Sequence, residues 1–309
     1  MVGDSMHTKL IEKINELRKH KNAVILAHNY QIPEVQNLAD ILGDSLELAR
    51  ASTSLEAEMV VFCGVDFMAE SAYILNPEKK VLLPSLGARC PMAQMLPVNI
   101  LLMWKRQYPG VPVVLYVNTY AAAKAQCDIC CTSANAVKIV EALNSDKVLF
   151  GPDRNLAWYV EQKTGKEVIP MPEKGFCPTH TIIEREEIEF LKEDYGDYVV
   201  MVHPECPPET QRIADFVGST SQMCRYAKNT DAKGFIVGTE VGILHRLRKE
   251  NPVKKFIPAY EGAICPNMKI NTLEKVYLAL RDEKYQVKLS PTIVKKAYAS
   301  LKRMFEVVS

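Results

Sequence analysis

The chain has 309 residues, of which 48% are hydrophobic and 24% are charged, and its formal net charge is +1. This composition is typical of a globular protein that buries more than one core. The near-neutral charge gives no support for nucleic-acid binding, and no apolar run reaches the roughly 20 residues that span a bilayer. The first residues are polar and contain no signal-peptide core, so we expect a cytoplasmic protein without a membrane partner.

Three segments of the chain share one register, which indicates an internal repeat of about 87 residues. Each segment opens with an apolar strand that ends at a polar residue, and a small hydroxyl residue follows 17 positions later. A second apolar strand ends at a glycine, and a Cys-Pro pair lies 44 or 45 residues beyond the hydroxyl. In chain order these landmarks are His28, Tyr116 and His203; Ser45, Ser133 and Thr220; Gly64, Gly151 and Gly238; Cys90, Cys177 and Cys265.

Short Val/Ile/Leu-rich runs alternate with amphipathic segments in each repeat, which predicts the α/β class. We expect three similar doubly wound α/β/α units, each with about four parallel strands covered on both faces. Their predicted boundaries are 1–93, 94–181 and 182–309, with the last helices, near 273–281 and 291–305, packing back on the first unit. The landmarks fall just past strand ends, where open α/β sheets bind ligands.

Among the nine cysteines, one column is cysteine in all three repeats: Cys90, Cys177 and Cys265. Packing does not require a thiol three times, whereas a soft metal centre shared by the repeats does. Three thiolates leave one position open on a [4Fe–4S] cluster, and an open metal acts as a Lewis acid. Because no histidine column accompanies the thiols, we favour iron–sulfur, with zinc as the alternative.

All but one of the remaining cysteines align with small or apolar residues of the sister repeats, which is how buried thiols without a ligand behave. The exception is Cys206, which aligns with Gln31 and Thr119. Cys127 aligns with alanines, and Cys130 aligns with a leucine and a valine. We therefore interpret the Cys127-x-x-Cys130-Cys131 run as core rather than as a metal site. The alignment assigns no role to Cys206.

Two strand-end columns carry side chains suited to proton transfer and to hydrogen bonding with a ligand. They are His28, Tyr116 and His203, and two residues further on Tyr30, Asn118 and Glu205. The hydroxyl column opens three helices, where Ser and Thr are either helix caps or part of an anion site, and we favour the anion site. The acidic column (Asp66, Asp153 and Glu240) predicts helix capping, and for His180 a substrate contact stays open.

Several strings in these columns resemble quinolinate synthase, and the likeness runs from about Leu10 to the C-terminus. They are Ile25-Leu26-Ala27-His28-Asn29-Tyr30, Gly43-Asp44-Ser45, Gly64-Val65-Asp66-Phe67-Met68-Ala69-Glu70, Thr132-Ser133-Ala134-Asn135-Ala136, His203-Pro204-Glu205-Cys206 and Gly218-Ser219-Thr220. The resemblance implies three similar domains around a pseudo-threefold axis, with a [4Fe–4S] cluster held by Cys90, Cys177 and Cys265. It further implies condensation of iminoaspartate with dihydroxyacetone phosphate to quinolinate, phosphate and water, on the route to NAD.

Carried over residue by residue, the resemblance implies substrate contacts at His28, Ser45, Tyr116, Val117, Asn118, Ser133, His203, Pro204, Glu205 and Thr220. Proton transfer would fall to Glu205, Tyr30, His28 and His203, and an aspartate oxidase or dehydrogenase would supply iminoaspartate. Two alternatives remain. One is an aconitase-like iron–sulfur hydro-lyase acting on another small carboxylate, and the other is an iron–sulfur metabolite sensor without catalysis.

Overall fold

The computed structural model describes residues 2–307, which form two compact units. The first contains the residues up to Cys90 together with Cys265–Pro291, and the second contains Pro91–Ile264 together with the residues from Thr292 onward. The first unit holds one sheet and the second holds two. Within the described residues, no helix is both long and apolar enough to cross a membrane.

The first repeat forms a parallel four-stranded sheet in the order β2-β1-β3-β4. Its strands are β1 (Ala23–His28), β2 (Ile41–Gly43), β3 (Met59–Cys63) and β4 (Lys80–Leu82). Its helices are α1 (Val2–His20), α2 (Pro33–Leu38), α3 (Ser45–Ser52) and α4 (Asp66–Leu75).

The second and third repeats have the same strand order, β6-β5-β7-β8 and β10-β9-β11-β12, and every pairing is again parallel. The second repeat consists of α5 (Pro91–Gln94), α6 (Val98–Gln107), β5 (Val113–Tyr116), α7 (Ala121–Lys124), β6 (Ile129–Cys131), α8 (Ala136–Glu141), β7 (Lys147–Gly151), α9 (Arg154–Thr164) and β8 (Glu167–Pro170). The third consists of α10 (Pro178–Thr181), α11 (Arg185–Asp194), β9 (Val199–Val202), α12 (Pro208–Arg212), β10 (Phe216–Val217), α13 (Thr220–Asn229), β11 (Gly234–Gly238), α14 (Ile243–Glu250) and β12 (Lys255–Pro258). The predicted α/β class with three similar parallel units is confirmed.

Each sheet has its own apolar core, because its central strands are buried on both faces. Every residue of β3 (Met59–Cys63) and of β11 (Gly234–Gly238) is buried, so these strands read as continuous apolar runs. Separate hydrophobic clusters form around the three sheets, with Ile25, Leu115 and Ile236 among their buried members. Truncating such a residue to alanine typically costs about 2–5 kcal/mol.

Three helices follow the third repeat: α15 (Pro266–Lys269), α16 (Leu273–Asp282) and α17 (Pro291–Val307). α16 packs against α1 and β3 and contributes Leu273, Val276 and Leu280 to the first core. α17 instead contacts the second repeat, where Ser300 donates a hydrogen bond to the Lys124 carbonyl. The expectation that the last helix packs on the first repeat is therefore wrong. Its small residues, Ala297 and Ser300, are buried in the second unit.

An aspartate fastens the edge strand of each sheet to its neighbour. Asp40 donates its N–H to the Ile25 carbonyl and accepts the Ile25 N–H through Oδ2, at 2.9 and 2.8 Å. The same two bonds, at 2.8–3.0 Å, join Asp128 with Val113 and Asp215 with Val200. The aspartate five residues before each hydroxyl is thus a structural part of the repeat.

We predict that Asp215→Ala lowers the free energy of unfolding by about 1 kcal/mol, because the Val200 N–H loses its carboxylate acceptor. Asp215→Asn retains a side-chain oxygen and should cost less. The midpoints of urea unfolding, followed by far-ultraviolet circular dichroism, compare the two variants. Equal midpoints for Ala and Asn would show that the side-chain hydrogen bond contributes nothing.

Candidate active site

The three cysteine-bearing loops are attached in the same way. In each repeat, a backbone N–H near the start of the helix after the third strand donates to the carbonyl two residues before the cysteine. The pairs are Asp66 with Ala88 at 2.8 Å, Arg154 with Gly175 at 2.9 Å, and Val241 with Ala263 at 3.0 Å. Cys90, Cys177 and Cys265 are each half-buried, and none of them forms a disulfide.

Two aspartates of the acidic column, Asp66 and Asp153, accept hydrogen bonds from the backbone N–H groups of cysteine residues. The Cys90 N–H donates to Asp66 Oδ1 at 3.2 Å, and the Cys177 N–H donates to Asp153 Oδ2 at 3.1 Å. Asp153 Oδ1 also caps α9 by accepting the Leu156 N–H. Burial and the charge of the nearby Glu205 raise the pKa of Asp153 well above its ordinary value. Both carboxyl groups therefore orient cysteine loops, but of the two Asp153 alone also caps a helix. The predicted capping role of Asp66 is wrong, because Asp66 is the first residue of α4 and the N-cap is Val65.

The rings of His28 and His203 close equivalent turns at the ends of β1 and β9. Nδ1 of His28 accepts the N–H of Tyr30 at 3.2 Å, and Nδ1 of His203 accepts the N–H of Glu205 at 3.3 Å. A neutral ring whose Nδ1 accepts carries its proton on Nε2. Nε2 of His203 lies 3.2 Å from Ser133 Oγ, which brings two predicted substrate residues together.

The hydroxyl column does not cap its helices. The N-cap of α3 is Asp44, whose carboxylate accepts the N–H groups of Leu46 and Glu47. The N-cap of α13 is Ser219, which forms a capping box with Gln222. Ser45 and Thr220 are instead the first helical residues. Because the preceding residue does the capping, a cap does not account for the hydroxyl at these positions. Ser133 does not open a helix, because α8 begins three residues later at Ala136.

Glu205 forms the centre of a buried polar network in the second unit. Its side chain is 3% exposed, and the two carboxylate oxygens have different partners. Oε1 accepts the hydroxyl of Tyr116 at 2.6 Å, and Oε2 lies 2.8 Å from Nδ1 of His180. Nε2 of His180 lies 2.8 Å from Thr239 Oγ1, and its ring is 4.7 Å from that of His203. Four ionisable side chains thus share hydrogen bonds or ring contacts away from bulk water.

The charge state of Glu205 follows from these partners. Burial by itself would raise the pKa of Glu205, since it disfavours the carboxylate. A proton on His180 or His203 places positive charge beside the carboxylate, and His180 and Tyr116 donate hydrogen bonds to it. Together these effects outweigh burial and hold the pKa of Glu205 well below its ordinary value. Glu205 is therefore an ionised carboxylate that orients a histidine and a tyrosine.

Cys177, His180 and Glu205 are also a possible metal-binding group, since one ligand atom from each lies within 4.8 Å of the others. However, His180 Nδ1 is 2.8 Å from Glu205 Oε2 and 3.0 Å from Cys177 Sγ, which are hydrogen-bond distances. Ligands that share one tetrahedral zinc lie about 3.3–3.7 Å apart, given bonds of about 2.0–2.3 Å. The observed spacing fits a hydrogen-bonded network beside the Cys177 sulfur better than three ligands of one ion.

In the first unit, the helix that follows Cys265 holds the strand-end turn of the first repeat. Lys269 Nζ donates to the Tyr30 carbonyl at 2.5 Å, and Gln31 Nε2 contacts Met268 Sδ at 3.3 Å. The rings of His28 and Tyr30 stack edge to face at 4.6 Å, and both residues are buried. The structure thus brings two of the predicted catalytic residues together beside the segment that carries Cys265.

Asn118 shows a further sign of a ligand site. Its Oδ1 atom is buried and has no hydrogen-bond partner among the described residues. Buried amide oxygens are nearly always satisfied, so a ligand that donates a hydrogen bond would remove an energetic penalty here. The neighbouring Val117 uses its N–H on the Cys131 carbonyl, and the Pro204 carbonyl accepts Gln211. The backbone N–H of Val117 is therefore already used within the protein, and Pro204 has no N–H to offer a ligand.

The sequence left His180 open and missed Thr239 as a site residue. His180 has no equivalent in the sister repeats, since Ala93 and Met268 occupy its positions, so the repeat gave no support for it. Thr239 directly follows the glycine that ends β11, and that position was the available signal. Cys206 is buried, donates to the Gly238 carbonyl and has a pKa raised by burial, which fits a structural thiol.

These features define an α/β enzyme with a buried acid–base network at the carboxyl ends of parallel strands. The sequence profile of the family described as quinolinate synthetase A protein matches residues 12–306. The chain belongs to this family of enzymes.

Curated relatives named quinolinate synthase are similar over nearly the full chain. The protein of Alkaliphilus metalliredigens is 52% identical over 301 residues, 97% of this chain and 99% of its own length. That of Methanothermobacter thermautotrophicus is 51% identical over 303 residues, 98% of this chain and 99% of its own. That of Pyrococcus horikoshii is 51% identical over 297 residues, 96% of this chain and 98% of its own.

Proposed function

We propose that the chain condenses iminoaspartate with dihydroxyacetone phosphate to quinolinate, releasing phosphate and water, in the biosynthesis of NAD. The observation that carries this proposal is the buried Glu205 network, in which Tyr116 and His180 contact opposite oxygens of one carboxylate. Joining the two substrates into an aromatic ring requires repeated proton removal and return. A desolvated network of acids and bases is suited to that task.

We propose that Cys90, Cys177 and Cys265 hold a [4Fe–4S] cluster. The donor chemistry fits, because each residue offers a half-buried sulfur that no disulfide occupies, and soft thiolates select iron–sulfur clusters. When bound, a cluster with three protein ligands supplies an open iron, which acts as a Lewis acid toward a substrate oxygen. The Nδ1–H of His180, shared between Glu205 Oε2 at 2.8 Å and Cys177 Sγ at 3.0 Å, would contribute to stabilising that thiolate.

The substrates are a dicarboxylate and a phosphate ester, so the site needs donors for anions. Ser45, Ser133 and Thr220 would supply hydroxyl donors, since the N-caps of the helices that follow are Asp44, Asn135 and Ser219. Asn118, with its buried Oδ1, would accept a hydrogen bond from a substrate hydroxyl or amine. Tyr116, Val117, Pro204 and the two strand-end histidines, His28 and His203, would complete the contacts that orient the reacting carbons.

In this proposal, Glu205 takes part in proton transfer through its partners, because its ionised carboxylate stabilises the imidazolium that forms when His180 takes up a substrate proton. A proton leaving carbon passes to the His180–Glu205 pair, and Tyr116 can return one to an oxygen. His203, whose Nε2 lies 3.2 Å from Ser133 Oγ, would be a second histidine that takes part in this proton transfer. In the first unit, the Tyr30 hydroxyl and the His28 ring are the corresponding acid and base.

We further propose a cytoplasmic location and a supply of iminoaspartate from an aspartate oxidase or dehydrogenase, because an imine of this kind hydrolyses in water. The direct test is anaerobic incubation of the iron-loaded protein with both substrates, followed by chromatographic detection of quinolinate. No quinolinate from a cluster-loaded protein would exclude the proposed reaction and leave the hydro-lyase and sensor alternatives. Zinc in place of iron and sulfide would exclude the cluster.

We predict that replacing Cys90, Cys177 or Cys265 by serine abolishes cluster binding. Matched controls are Cys127→Ala and Cys130→Val, which introduce residues found in the sister repeats. Iron and sulfide content and the visible spectrum, measured after anaerobic reconstitution, compare the five variants. Normal iron content in any of the three serine variants would remove that cysteine from the ligand set.

We predict that Glu205→Gln lowers turnover about 10²–10⁴-fold, because the amide keeps the shape but neither accepts a proton nor pairs with His180. The cluster and the fold should survive, so iron content and thermal unfolding are measured on the same preparation. Near-normal turnover with an intact cluster would transfer the proton chemistry to Tyr30 or a histidine.

We predict that Ser45→Ala, Ser133→Ala and Thr220→Ala each weaken substrate binding roughly ten- to hundredfold, since a hydrogen bond to a charged group is worth about 1.5–3 kcal/mol. Ser219→Ala is the contrasting variant, because Ser219 is the actual N-cap of α13. It should reduce stability and leave affinity for quinolinate unchanged. Isothermal titration with quinolinate and thermal unfolding separate the two roles, and unchanged affinity in all three hydroxyl variants would contradict the proposal.

A further inference from the structure

The second repeat departs from its sisters at three positions that lie together, outside the candidate active site. Lys124 stands where the other repeats have Gln36 and Gln211. Three residues later Cys127 replaces an alanine, and Cys130 replaces a leucine or a valine. One cation and two thiols therefore occupy aligned positions that are neutral and free of thiols in the other two repeats.

The glutamines show what this position does in the framework. Gln36 Nε2 donates to the Gln31 carbonyl at 2.8 Å, and Gln211 Nε2 donates to the Cys206 carbonyl at 2.8 Å. Lys124 Nζ donates to the equivalent Thr119 carbonyl. A neutral amide thus suffices to hold the turn. The positive charge of Lys124, which is fully buried, adds a property that the turn does not require.

The two sulfur atoms lie next to this lysine. Cys127 Sγ and Cys130 Sγ are 3.9 Å apart, and neither residue is in a disulfide. Cys127 is half-buried and its Sγ donates to the Lys124 carbonyl at 3.3 Å. Cys130 is buried and its Sγ lies 3.4 Å from the hydroxyl of Ser300 on α17. The residue with partial solvent exposure is thus Cys127, and the buried Cys130 contacts a hydroxyl.

This environment favours the thiolate of Cys130. Burial alone would raise the pKa of Cys130, but the hydrogen bond with Cys127, the charge of Lys124 and the Ser300 hydroxyl lower it below the ordinary value. Burial and the neighbouring sulfur raise the pKa of Cys127 well above the ordinary value. The thiolate, not the thiol, is the nucleophile of disulfide exchange. The pair therefore holds one reactive sulfur beside one protonated sulfur.

We propose that Cys127 and Cys130 form a redox-active dithiol, which low-molecular-weight disulfides convert reversibly into an intramolecular disulfide. The half-buried Cys127 passes its proton to Cys130 and attacks one sulfur of the external disulfide, expelling the first thiolate. Cys130 then gives up its proton and attacks Cys127 Sγ in the mixed disulfide, expelling the second. The protein loses two electrons and the single proton of the pair, and the two expelled thiolates become thiols by taking up that proton and one from solvent.

The test uses the cluster-loaded protein, equilibrated anaerobically in buffers of stepped reduced-to-oxidised glutathione ratio. Acid quenching and alkylation under denaturing conditions are followed by tryptic digestion and mass spectrometry of peptide 125–138, which contains Cys127, Cys130 and Cys131. We expect a form 2 Da lighter at the paired cysteines, with a single alkyl group on Cys131. Its ratio to the reduced form should change tenfold per tenfold change in [reduced]²/[oxidised] glutathione.

Two variants with sister residues test the pairing. Cys127→Ala should leave Cys130 alkylatable at every glutathione ratio, and Cys130→Val should stop Cys127 at a mixed disulfide with glutathione. Cys131→Ala is the matched control, since it removes the adjacent thiol and should leave the pair intact. Three alkyl groups at all ratios, a disulfide that includes Cys131, or accumulation of a mixed disulfide in the unmodified chain would each overturn the proposal.

Lys124→Gln, which introduces the residue of both sister repeats, tests the role of the charge. Without the charge of Lys124 the pKa of Cys130 rises, so the thiolate fraction falls, partly offset by the greater nucleophilicity of the thiolate. We expect the exchange rate with oxidised glutathione to fall about three- to tenfold, with the same disulfide formed at the end. An unchanged rate would show that Lys124 does not activate the pair.

Discussion

In each repeat, the loop that carries the cysteine is fastened to the sheet by a backbone hydrogen bond from near the start of the helix after the third strand. The donors are Asp66, Arg154 and Val241, whose side chains have nothing in common. Because a backbone N–H does not depend on side-chain identity, three different sequences reach the same loop attachment. Each repeat therefore attaches its cysteine loop in the same way, although the surrounding side chains differ between the repeats.

The strand-end turns show how this shared framework carries different chemistry. Tyr30, Asn118 and Glu205 occupy equivalent positions, but only Glu205 brings a charge. A carboxylate that is 3% exposed would be costly without partners. Tyr116 and His180 contact its two oxygens, so each oxygen of the carboxylate has a hydrogen-bonding partner. The site therefore depends on residues of the second and third repeats acting together, and its partners explain why Glu205 stays ionised although it is buried.

The side chain that hydrogen-bonds to each strand-end turn also differs in chemistry between the repeats. Gln36 and Gln211 perform a structural task that Lys124 also performs, and the lysine adds charge next to two thiols. The chain thus contains two kinds of cysteine with different surroundings. Cys90, Cys177 and Cys265 lie in loops at strand ends, whereas Cys127 and Cys130 lie at the edge strand of one sheet beside α17. Position in the repeat, rather than cysteine count, distinguishes them.

The sequence determined the three parallel units and the positions of the strand-end columns, because burial on both sheet faces leaves continuous apolar runs and repetition makes each segment a control for the others. The apolar run Val199–Val202 in the sequence has the same first and last residues as β9 in the structure. Contacts between residues far apart in the chain lie outside what periodicity can show. Only the tertiary structure joined His180 to Glu205, identified Asp44 as the cap of α3, placed α17 on the second repeat and brought Lys124 to the Cys127–Cys130 pair. Those contacts depend on side-chain direction and helix docking, which a linear pattern of residue types does not encode.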